Sequence, residues 1–177
     1  RLRESHPEIQ ISLHGGNSAS IRDGVTDGSL DLGIVADPTP HALLAIRLLS
    51  AHDLVAVVPR DSAWAANKSL RVRDLRGAEL VIREQGSITR SATQAALERW
   101  NVTPERVTEA HGRESVEAAV LAGLGVGLMG DAEFSHDPRL TLVDFSDGLE
   151  ALHEYVIHRR DRQGEAVIGA ALGAVVG

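Results

Sequence analysis

The chain has 177 residues, with 25 acidic against 18 basic, a formal charge of −7 and a pI near 5.6. That balance excludes a free-standing nucleic-acid-binding face, which needs clustered Lys and Arg to displace counterions from phosphates. The absence of cysteine removes disulfides and thiolate metal sites, the eight histidines lack ligand spacing, and no run approaches the roughly 20 apolar residues of a membrane span. What is left is one sizeable core or two small lobes in a chain expected to be soluble and cytoplasmic, without cofactor or metal.

In chain order, Arg1 to Pro7 reads as the polar end of a helix rather than the beginning of a domain. Ile9, Ile11 and Leu13 alternate with polar residues and predict a strand with one covered face. Gly15-Gly16-Asn17-Ser18 then leads into a helix bearing Ile21 and Val25, with Asn17 or Ser18 either capping it or reaching a ligand. Asp27-Gly28-Ser29 ends that helix, Leu30 to Val35 is a strand, and a loop with Pro38 and Pro40 follows. Leu54 to Val58, closed by Pro59, is a buried-type strand and a candidate passage between lobes.

The middle of the chain carries the most informative stretch. Leu80-Val81-Ile82 is a strand covered on both faces, while Ile88, Ala92, Ala95, Ala96 and Trp100 recur at helical spacing. Gly86 permits the turn between them and Ser87 is a good N-cap. A helix N-terminus carries about half a positive charge, so Ser87, Ile88, Thr89 and Arg90, with Arg83 at the strand end, read either as a cradle for a small carboxylate, phosphate or phosphonate or as a capped helix with a surface arginine. Val107 to Ala110 is a further strand, after which Gly112-Arg113-Glu114-Ser115 opens a third helix with Val116, Ala119 and Val120. Three polar loops that each precede a helix favour an α/β architecture with ligands beyond the strand ends.

Gly125-Val-Gly-Leu-Met-Gly130 spells G-x-G-x-x-G. The dinucleotide fingerprint must follow a strand and open a helix, whereas here the helix comes first, so nucleotide binding is set aside. Leu140 to Phe145 and Glu154 to His158 are strands, the latter a return passage, and Ala166 to Val176 is an apolar helix too short for a bilayer. The two passages predict lobe I from residues 1–55 and 156–177 and lobe II from residues 56–155, with a ligand held between them.

Several stretches together resemble the effector-binding domain of LysR-type transcriptional regulators: Gly16-Asn17-Ser18, Asp27 to Val35, Leu54 to Pro59, Arg83 to Arg90, and Ala122-Gly123-Leu-Gly125-Val-Gly127. The resemblance implies an α/β, two-lobed, type 2 periplasmic-binding-protein-like fold with two crossover hinge strands, whose first strand is missing from this sequence. It also implies a small anionic effector, a homodimer or homotetramer, and promoter DNA bound only through an absent N-terminal winged helix-turn-helix domain. Trp64-Ala65, Arg113-Glu114, Gly127 to Phe134 with Asp131, Asp137 to Leu140 and Glu154-Tyr155-Val156 are similar to the subgroup associated with phosphonate utilisation. That likeness implies 2-aminoethylphosphonate as effector, with Arg90 or Arg113 on the phosphonate and Glu84, Glu114 or Asp131 on the ammonium. Departures from the pattern are Ser62-Ala63 in place of the family's His-Pro, and His111-Gly112 where the subgroup has a Gly-Ser pair.

The same architecture serves transport solute-binding proteins and small-acid lyases. For a lyase, Glu84, Glu114, His111 and Asp131 are the available acid and base groups, but no G-x-S-x-G, P-loop or metal cluster accompanies them. A non-catalytic sensor with a site of Asn17, Ser18, Arg83, Ser87, Ile88, Thr89, Arg90, Arg113, Glu114, Ser115 and Asp131 is therefore the expectation.

Overall fold

A computed structural model describes residues 2–36 and 39–176. The predicted loop position Pro38 lies outside the described residues. The chain divides into two units: one runs to Ser50 and resumes at His153, and the other is Ala51–Leu152.

In the first unit, helix α1 (Leu2–Ser5) precedes helix α2 (Ser18–Asp27) and strand β1 (Leu32–Val35). Strands β2 (Leu44–His52) and β9 (Leu152–Arg159) complete a three-stranded sheet in the order β1-β9-β2, with β1 antiparallel to β9. Helix α5 (Ala166–Val176) contacts α1 and buries Ile168 completely. Val25, Val35, Leu44 and Ile157 form the core of this unit. Gly33 sits on α2 so closely that a Cβ there would fall 2.6 Å from Ile21 Cγ2.

Ile9, Ile11 and Leu13 do not form the predicted strand. Residues 9–17 have no regular secondary structure, and Leu13 is 94% exposed. A strand needs a neighbour for its N–H and C=O groups, and none pairs with this stretch among the described residues.

The second unit contains β3 (Leu54–Pro59), β4 (Ser69–Leu70), β5 (Glu79–Arg83), β6 (Arg106–Ala110), β7 (Val126–Gly130) and β8 (Leu140–Phe145), ordered β4-β8-β3-β7-β5-β6. Strand β5 is parallel to β6 and β7, and β3 is antiparallel to β7 and β8. Helices α3 (Ile88–Arg99) and α4 (Arg113–Leu121) cover opposite faces. Leu54, Ala56 and Val58 face the cluster holding Ala96 of α3, whereas Val55 and Val57 face the cluster holding Val116 and Val120 of α4. Two covered faces explain why β3 reads as an unbroken apolar run. They also correct its role: the chain passes between units at Ser50–Ala51, and Leu54–Pro59 is an interior strand of the second unit.

The G-x-G-x-x-G segment runs from helix into strand. Gly125 has φ +129°, and a Cβ would lie 2.2 Å from the Glu79 carbonyl oxygen. At Gly127 it would lie 2.7 Å from Val120 Cγ2. These glycines let β7 approach β5 and α4 closely, which is a packing role.

Candidate functional site

Where β5 ends, the chain places two opposite charges side by side. Arg83 donates from Nε and one terminal nitrogen to both oxygens of Glu84, at 2.9 and 3.1 Å, and from the other to Glu133 Oε1 at 3.1 Å. Glu84 Oε2 also accepts the Gly112 N–H at 3.1 Å, at the N-cap of α4. One ionic knot thus joins the end of β5, the start of α4 and the turn after β7. The hydrogen bonds from Arg83 hold the Glu84 carboxyl at about 2 against its ordinary 4.5. For Arg83, burial alone would lower the pKa, but the bond to Glu84 and the charges of Glu133 and Glu84 outweigh it and raise the value.

This knot bears on two expectations. Arg83 is a structural cation, its charge already matched. Glu84 is committed to Arg83 and Gly112 rather than free for an ammonium, and a carboxyl so far below neutrality cannot serve as a general acid.

The N-terminus of α3 is different. Ser87 occupies the N-cap with extended backbone, yet its side chain makes no capping bond. Ser87 is 6% and Thr89 3% exposed. Neither hydroxyl has a hydrogen-bond partner among the described residues, although the neighbouring Ser91 and Thr93 hydroxyls donate to the Ser87 and Thr89 carbonyls. The first-turn amides of Ile88, Thr89 and Arg90 have no intrahelical acceptor by the geometry of a helix start. Two unpartnered hydroxyls beside those amides make a donor-rich, nearly buried patch. Ile88 is half-buried next to it.

Arg90 does not point its charge there. Its guanidinium donates to the Arg83 carbonyl at 3.1 Å and is paired with Glu109. Arg113 and Glu114 are exposed and paired with each other at 3.0 Å, and the bond of Glu114 to its own backbone amide, followed by Arg113, lowers its pKa. Ser115 is exposed. Asp131 accepts from the Asp53 and Ala132 amides at 3.2 and 2.8 Å and lies 3.6 Å from His52 Nδ1, so it fastens the entry of the second unit to the end of β7.

In the first unit, Asn17 Oδ1 accepts the Ser20 N–H at 3.0 Å and caps α2. Ser18 Oγ accepts the Ala36 N–H at 3.0 Å. Both side chains therefore have structural partners.

A cavity of about 210 Å³ lies in the second unit, lined by Arg113, Glu114, Glu117, Ala132, Glu133, Phe134 and Ser135. Sequence reasoning placed Arg113 and Glu114 at a ligand but passed over Glu117, one helical turn further along the same face. Among the described residues no cluster of His, Asp and Glu could hold a metal ion.

Residues 1–176 match the family model described as the LysR substrate binding domain. The chain belongs to the LysR substrate-binding domain family. These domains are ligand binders, not enzymes. The HTH-type transcriptional regulator YfeR of Shigella flexneri is 30% identical over 131 residues, covering 72% of this chain and 42% of the relative. The regulator Mb2303c of Mycobacterium bovis is 33% identical over 152 residues, covering 81% and 48%. The CbbR regulator of Rhodospirillum rubrum is 26% identical over 172 residues, covering 96% and 56%. This LysR domain thus spans about half the length of the curated relatives it matches. Among solved structures, the regulatory domain of Synechocystis PCC6803 CcmR in complex with 2-PG superposes with a TM-score of 0.85 at 25% identity, over 98% of this chain and 85% of that one. The QuiR effector-binding domain in complex with shikimate gives 0.82 at 16% identity, over 99% and 85%, and shares the fold. The architecture is the mixed α/β, type 2 periplasmic-binding-protein-like fold of LysR effector domains.

Proposed function

We propose that this chain is the ligand-sensing domain of a cytoplasmic LysR-type transcriptional regulator, and that its effector is a small anion received at the N-terminus of α3. The Ser87 and Thr89 hydroxyls, without a partner among the described residues and in residues only 6% and 3% exposed, carry this reading. The two hydroxyls are not sealed from solvent, so an incoming oxyanion can reach them as donors, and the helix end favours negative charge. Arg83 and Arg90 then act on this end of the second unit through their bonds to Glu84, Glu133 and Glu109, which hold the strand end and the helix start in place. In the full regulator, a homodimer or homotetramer, the effector would bias promoter binding by a preceding helix-turn-helix domain. Such a bias requires different affinities for the two states, since equal affinity shifts nothing.

The phosphonate-associated motifs make 2-aminoethylphosphonate the candidate effector, and the likeness to CcmR makes 2-PG the natural rival. Calorimetry with these two, phosphate, sulfate, acetate and shikimate tests the assignment. A phosphonate-selective heat that falls about tenfold in affinity in Thr89→Val supports it, a loss of about 1.4 kcal/mol, as for one hydrogen bond to a charged group. Binding of every anion unaltered by Thr89→Val would move the site elsewhere.

A further inference from the structure

We propose that the cavity between the first turns of α4 and the turn after β7 binds a small organic monocation, a primary or methylated ammonium, through Glu117. The cavity measures about 210 Å³, room for about seven waters, so its occupant is a small group rather than a drug-sized molecule.

The charges lining it do not balance. Arg113 and Glu114 neutralise each other at the exposed rim. Glu133 receives Arg83. That leaves Glu117, which is only 8% exposed. Its carboxylate accepts the Ser135 N–H at 2.8 Å and the Ser135 hydroxyl. Both donors are neutral, and among the described residues no guanidinium, ammonium or imidazole lies within ion-pair distance of it. A carboxylate this buried is stabilised by a cation at close range, and the described residues do not supply one. Phe134 adds an aromatic wall, a surface that attracts organic cations. Three carboxylates against one guanidinium disfavour an anion, and the lack of a metal-type ligand cluster disfavours a bare metal ion. The position of Glu117 is firm, because Val116 and Val120 on either side of it are fully buried against the sheet.

The sensor reading gives this site its meaning as a receptor for the cationic pole of a zwitterionic effector; the binding itself rests on the cavity alone. It also reassigns the ammonium partner from Glu84, Glu114 or Asp131 to Glu117.

The test is a titration of the ¹⁵N-labelled chain with ethylammonium and trimethylammonium chlorides, with sodium chloride and ethanol as controls and methylphosphonate as a separate arm. Saturable shifts at the amides of Ala132 to Ser135, absent with the controls and weakened at least tenfold in Glu117→Gln, are expected. Ammonium shifts no larger than those with sodium chloride, or equal affinity in Glu117→Gln, would overturn the inference. If that variant does not fold, the wild-type map decides: shifts confined to Ala132–Ser135 support the site, and shifts scattered over surface carboxylates overturn it. A methylphosphonate response at Ser87 to Arg90 without an ammonium response removes the cavity inference alone. The opposite pattern retains the cavity and removes the anion reading.

Discussion

Replacing Glu84 by Gln keeps the shape of the knot at the end of β5 and removes its charge. Glu84 accepts at 2.9 and 3.1 Å from Arg83 and at 3.1 Å from the Gly112 amide. A glutamine offers one acceptor oxygen and turns an NH₂ group toward a donor. Its carboxyl is displaced from 4.5 to about 2, which corresponds to about 3 kcal/mol, and partial solvent screening reduces this to about 2 kcal/mol. Arg83 keeps Glu133, so its charge is not stranded. The folded carboxyl ionises more readily than the unfolded one. Its contribution is therefore complete above about pH 5, retains about two-fifths of its value at about pH 3, and vanishes as pH falls through about 2. Urea unfolding of wild type and Glu84→Gln at neutral pH and near pH 3 should show a stability gap that closes by more than half in acid. An equal gap at both values would refute the electrostatic account and assign the loss to shape.

Three further substitutions separate structure from ligand binding. Arg90→Ala should cost about 1 kcal/mol in urea unfolding, as expected for a half-exposed ion pair with one carbonyl contact, while changing anion affinity less than Thr89→Val does. The reverse ranking by calorimetry would return Arg90 to the ligand. Gly125→Ala should destabilise by about 3 kcal/mol or more, because a Cβ 2.2 Å from the Glu79 carbonyl cannot be accommodated at φ +129°; a thermal midpoint within about 2 °C of wild type would contradict the packing role. Asn17→Ala should cost about 1 kcal/mol through the lost cap on α2. Full stability in that variant would mean that Asn17 is held for another purpose.

Elements buried on two faces were the most legible. Leu80-Val81-Ile82 and Leu54 to Val58 announced themselves as unbroken apolar runs, since each side of their sheet is covered by a helix. Strand β2 escaped notice because Leu44–His52 is only partly covered: Arg47 and Leu48 are exposed and no period-2 alternation survives. Ile9, Ile11 and Leu13 show the opposite error, a clean alternation with no neighbouring strand among the described residues. Alternation reports which side chains could share a face; pairing depends on a partner that local sequence does not contain.

The helix start at Ser87 was legible in the sequence, and the internal pairing of the charges around it was not. Ser87 and Thr89 fall at the helix start where the glycine turn placed them, and both remain without partners. The arginines beside them looked like ligands because a guanidinium suits an oxyanion, but in a chain with 25 acids and 18 bases each is apt to meet an internal carboxylate. Arg83 finds Glu84 and Glu133, Arg90 finds Glu109, and Arg113 finds Glu114. In the proposed reading, selectivity for an anion would rest on helix amides and hydroxyls, which are directional and short-ranged, rather than on a free charge that would draw in any anion. The same acid excess leaves Glu117 as a buried carboxylate without a cation, so the imbalance that excluded nucleic acid at the outset is also what points to an ammonium in the cavity.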